Sequence, residues 1–228
     1  MAPTYPLAVA IAVLPSFGVL LYLAGLVAHR SQMAFALVTR HAAIVYTTIL
    51  CAGVLVLAVG GMLPLAALVD PDLSAWRVAL GLALVVPCAL APYLAELYLS
   101  SCLAGRGGPL EAGALVPDAA DSVEAVATSR TRFGAIAVLT AVAEELLFRG
   151  AVLHSLVDER GLLVAVALTS LVFGLHHVSF GLAAVLGKAV AGATWALLMV
   201  LSGLLLVPIL AHLLFQALVL RRMNRRPS

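Results

Sequence analysis

Ala141-Val142-Ala143-Glu144-Glu145-Leu146-Leu147-Phe148-Arg149-Gly150 is the stretch on which the fold of this chain turns. It lies inside an apolar run from residue 133 to residue 157, about the length a helix needs to cross a bilayer. Charged groups at that depth cost roughly 2.5–3.5 kcal/mol each on insertion scales, so their presence marks a functional site by default. In a helix Glu145 and Arg149 stand four residues apart on one face and pair, each lowering the other's burial cost. Glu144 points about 100° away from them and is the carboxylate left for chemistry.

The composition sets the solvent. Of the 228 residues 64% are hydrophobic and 11% charged, and the mean hydropathy is +1.14. A soluble domain holds about 45–50% apolar and about 25% charged residues. The expected fold is therefore all-α, a polytopic transmembrane helical bundle of about seven spans, four of them in its C-terminal half. Twelve arginines against one lysine, with much Ala, Leu, Val and Gly, point to a bacterial source and an inner (plasma) membrane. Cys51, Cys88 and Cys102 lie in or beside apolar runs without ligand spacing and read as small core residues. The first apolar run lacks a basic flank and is too long for a signal peptide, so it is expected to remain as a span. The terminal Arg-Arg-Pro-Ser offers no prenylation box.

Working outward, spans are expected at residues 5–28, 43–69, 78–102, 133–157, 162–180, 182–201 and 204–220. Residues 30–41 form a polar connection, and Asp70-Pro71-Asp72 a turn before the capping Ser74. The long polar segment 105–132 holds a helix over 118–128 that lies at the membrane surface. The division is 1–104 for an N-terminal three-span region, 105–132 for the loop, 133–220 for the catalytic core and 221–228 for a basic tail. Connections after odd-numbered spans carry nine Lys/Arg, the others two, Arg77 and Arg160. By the positive-inside rule the N-terminus is outside, the C-terminus cytoplasmic, and the site opens to the cytoplasmic side.

Other polar residues share the membrane with the opening stretch. Phe173 and His177 are four apart on span five, and His212 and Gln216 four apart on span seven. Three helices thus present one carboxylate, two imidazoles and an amide to a shared cavity. A glutamate removed from water is tuned for general-base work near neutral pH. A histidine holds the attacking water, and a second histidine with a carboxamide donates to the oxyanion of a cleaved amide. Glutamate and two histidines are also acceptable zinc ligands, but there is no His-Glu-x-x-His, so no cofactor is expected and zinc stays an open alternative. His176 is off this pattern, Glu96 and Lys188 pair with each other or serve a proton path, and the tail arginines contact anionic lipid.

Glu-Glu-x-x-x-Arg, then Phe-x-x-x-His, then a His four residues before an amide resembles the CAAX-processing and bacteriocin-processing (CPBP, or Abi) intramembrane proteases, which include the Ras-converting endopeptidase. The resemblance covers roughly residues 133–220. It implies a glutamate-type endopeptidase in which Glu144 activates water with His177, His212 and residue 216 stabilise the oxyanion, and Glu145, Arg149 and Phe173 support them. The family usually carries Asn where this chain has Gln216. The implied partners are a membrane protein or peptide substrate and the bilayer, with no nucleic acid. The alternatives are a non-proteolytic immunity or scaffold protein of the same fold, and a transporter using Glu96, Glu144 and Lys188.

Overall fold

In lipid, a backbone must hydrogen-bond within itself, so long apolar runs become helices. The computed structural model describes residues 32–61, 63, 68–103, 130–178 and 181–223, and these are helical with one isolated β-bridge. In chain order they form α1 (Gln32–Val59), α2 (Ala75–Leu103), α3 (Arg130–Glu145), a π-helical segment (Leu146–Leu153), α4 (His154–Arg160), α5 (Leu162–Leu175), α6 (Leu182–Ser202) and α7 (Leu206–Met223). The expected first span, the surface helix 118–128 and tail residues Arg225 and Arg226 lie outside the described residues.

Two boundaries differ from expectation. Helix α1 begins at Gln32, within the segment expected as a polar connection, and ends at Val59 rather than residue 69. Nothing between Gln32 and Ala52 is Gly or Pro, so Arg40 and His41 do not interrupt it; Gly60 and Gly61 do, the latter at φ +70°. Helix α5 stops at Leu175, five residues before the expected end of its span. Its 14 residues reach only about 21 Å at helical rise, short of a bilayer core. His176 and His177 therefore stand in the turn beyond the helix end and not within it.

Helices α2 and α6 are each long and apolar enough to cross a membrane. They pack on each other most extensively; α5 covers α6, α7 lies against α2, and α1 rests chiefly on α3 and the π-helical segment. Most of α2 faces outward, with Leu80, Leu82, Val86, Leu90, Leu94 and Tyr98 exposed, as a lipid-facing helix requires. The core lies on the other side and includes Phe148, Phe173, Trp195, Val207 and Phe215.

One end of the bundle is closed by backbone. Val69 and Leu204 form the bridge, Asp70 N–H donates to Gly203 O (2.8 Å) and Leu205 N–H to Leu68 O (2.9 Å). Gly203 sits at φ +67°, where any Cβ would come within 2.9 Å of Asp70 Cβ. Arg77 donates to Leu201 O (3.0 Å) and Val200 O (2.9 Å), carbonyls left over at the end of α6, and pairs with Asp70 (2.6 Å). The Asp70 carboxyl is held below the usual carboxylate range, first by the Asp72 N–H and then by Arg77.

Candidate active site

Glu144 and Glu145 end the α-helical part of the third described helix, and the chain then widens into the π-helical turn. Such turns are rare and concentrate at functional sites. All residues from Leu147 to Leu153 are buried, so this turn presses against the core. Glu144, Glu145 and Arg149 are each at most 2% exposed.

The expected pair is present. Arg149 Nη1 lies 3.1 Å from Glu145 Oε1, and Nη2 donates to Gly192 O at 3.0 Å. Gly192 lets α5 come close to α6: a Cβ there would meet Ser170 Cα at 2.8 Å. The guanidinium also lies 4.9 Å from the Phe173 ring centroid and 5.6 Å from that of Trp195, so aromatic faces share its charge. Among the described residues Arg149 Nε and Glu145 Oε2 have no hydrogen-bond partner.

Glu145 does more than pair. Its Oε1 also lies 2.9 Å from His212 Nδ1, across from α7. A carboxylate there makes Nδ1 the protonated nitrogen and turns Nε2 toward Glu144 Oε2, 3.5 Å away. Gln216 Nε2 lies 3.3 Å from the same Nε2. Glu144, Glu145, Arg149 and His212 thus form one connected buried network, with the half-buried Gln216 at its edge. Two basic atoms as close as His212 Nε2 and Glu144 Oε2, in a dry site, need a proton on one of them.

His177 enters differently. Its Nδ1 lies 3.1 Å from Phe173 O, a carbonyl the helix end leaves over; if it donates there, Nε2 is the basic nitrogen. The Phe173 ring stands between the two imidazoles, 5.5 Å from His177 and 6.0 Å from His212 by centroids. Glu96 and Lys188 do lie together, at 3.7 Å, with the ammonium 3.9 Å from the Phe215 ring centroid.

Two residues at the site, Tyr46 and Trp195, escaped the sequence reading, and a third, His176, was noted there only as off the pattern. Tyr46 of α1 donates its hydroxyl to Glu144 Oε1 at 2.5 Å. His176, off the pattern, lies 2.9 Å from that hydroxyl through Nδ1. Trp195 of α6 stacks on His212, with centroids 4.1 Å apart and planes 27° apart. The Trp195 placement has a cause in α2: Pro92 carries no N–H, so Cys88 O lacks its helical donor, and Trp195 Nε1 donates to it at 3.0 Å. The proline is legible in the sequence; its partner 107 residues away is not. Among the described residues no group of three or more His, Cys, Asp or Glu side chains is arranged to hold a metal ion.

Residues 127–218 match the family model described as Type II CAAX prenyl endopeptidase Rce1-like, the family to which the motifs point. The match is a similarity of this segment, less than half of the chain, to that family. No curated protein and no solved structure matches the chain.

Proposed function

We propose that this chain is an intramembrane endopeptidase of the glutamate type, and that Glu144 is its base. The observation that carries the reading is the buried convergence of Glu144 with His212, whose far nitrogen is held by Glu145 and so by Arg149. Glu144 takes a proton from water, and His177, with Nδ1 on a backbone carbonyl, accepts a hydrogen bond from that water through Nε2. The water oxygen attacks the peptide carbonyl. His212 Nε2 and the Gln216 amide donate to the oxyanion, with Glu145 stabilising the charge on the imidazole. The proton held by Glu144 passes to the leaving amine as the C–N bond breaks.

The finer reading goes with this one. The chain makes about seven spans, with N-terminus outside and the site reached from the cytoplasm, and 133–220 is the catalytic unit. The substrate is a membrane-tethered protein or peptide cut near the cytoplasmic face. The test is cleavage of a lipid-anchored, internally quenched peptide pool by the full chain in vesicles. Glu144→Gln and His177→Ala are each expected to lower turnover at least about a hundredfold while the protein stays folded. Cleavage undiminished in both variants removes the protease reading in favour of a non-proteolytic protein of the same fold.

A further inference from the structure

Tyr46 and His176 touch the site from a side that neither α7 nor the motif residues occupy. A tyrosine in an apolar helix ordinarily sends its hydroxyl to the membrane interface. Here the hydroxyl turns inward onto Glu144 Oε1, at 2.5 Å. A phenol has one proton. Donated to the carboxylate, it leaves the phenol oxygen as an acceptor, so His176 donates to it from Nδ1 across 2.9 Å.

Both ends of this chain of bonds are fixed. His176 is 4% exposed, its ring meets those of Tyr46 and Phe148 edge-on at 5.8 and 5.1 Å, and its backbone N–H donates to Val172 O. On α1 the next residue, Thr47, has its hydroxyl 2.6 Å from that of Thr140, one helical turn before Glu144. The level of α1 against α3 is therefore set beside the contact.

We infer that Tyr46 and His176 are positioning residues for Glu144. The chain His176 Nδ1–H to Tyr46 O–H to Glu144 Oε1 holds one carboxylate oxygen and turns Oε2 toward His212 and the attacking water. Neither residue reacts. The inference rests on the reading of Glu144 as base. Hydrogen bonds to an ionised carboxylate are strong and directional, and in a dry site they fix its rotamer.

The test uses the full chain in lipid vesicles with two readouts. The infrared difference between wild type and Glu144→Gln isolates the Glu144 carboxyl band without any substrate. Tyr46→Phe and His176→Phe are expected to displace that band. His176→Asn, which keeps an N–H donor near the Nδ1 position, is expected to leave it near its wild-type place. A band unmoved by Tyr46→Phe overturns the inference. On the quenched peptide pool, Tyr46→Phe is expected to lower kcat roughly tenfold to a hundredfold with KM little changed, and His176→Asn to retain far more activity than His176→Phe. Wild-type cleavage matched by Tyr46→Phe in kcat also overturns it. Failure of the wild type to cleave, with the band still displaced, refutes the endopeptidase reading and leaves the hold on Glu144 standing.

Discussion

At the scale of single residues, the site is a set of buried charges that must satisfy one another. Arg149 serves Glu145, Gly192 O and three aromatic rings at once. Arg149→Leu leaves Glu145 charged in the core with only His212 beside it. It is expected to cost about 3–5 kcal/mol of stability, seen as a lower thermal midpoint in detergent or loss of folded protein. Glu144→Gln keeps a polar group for Tyr46 and should fold close to normally, so the same measurement separates the two glutamates by role. The pairing of Glu145 with Arg149, and the shared face of His212 and Gln216, are legible because both are questions of helical spacing. Tyr46 was not legible. It lies 98 residues from Glu144 in sequence, and an aromatic in an apolar span reads equally well as a lipid contact.

At the scale of elements, irregularities position the chemistry. Pro92 breaks one hydrogen bond of α2, and the orphaned Cys88 O captures Trp195, which in turn backs His212. Trp195→Phe keeps an aromatic face but leaves that carbonyl unpaired, at a cost of about 1–3 kcal/mol. In a Pro92→Ala background the helix can supply its own donor, so the cost should shrink, and a double-mutant cycle by denaturant unfolding should show coupling of about 1 kcal/mol. Strictly additive effects would detach the proline from the site. The corner of Asp70 and Arg77 offers a pH test. The folded carboxyl lies below its unfolded value of about 3.9, so its contribution is complete above that value and is lost as pH falls through the folded one. Asp70→Asn should therefore be less stable than wild type at neutral pH and equal to it in strong acid, as followed by thermal midpoint. Helix existence was readable from apolar runs. The π-helical turn and the early end of α5 were not, since an α-helical count assumes the register that these features break.

At the scale of the molecule, the bridge between Val69 and Leu204 joins the connection after the second expected span to that after the sixth. Both fall on one side in a seven-span order, opposite the turn that bears His176 and His177. Single-cysteine labelling in a cysteine-free background tests the orientation. Glu159→Cys is expected to react with an impermeant reagent in intact cells, and Arg221→Cys only after permeabilisation; reaction from the same side would sink the seven-span order. A last consequence comes from the cluster taken together. With one proton held between His212 and Glu144, the charges of Glu96, Glu144, Glu145, Lys188, Arg149 and His212 sum to zero. In the proposed mechanism Glu144 takes up a proton, and the positive charge gained by the protein then appears beside the negative charge born on the substrate oxygen. The reaction shifts charge over a short distance without adding net charge to a medium that resists it. Its rate should accordingly be nearly indifferent to bulk salt, which screens exposed charges far more than buried ones.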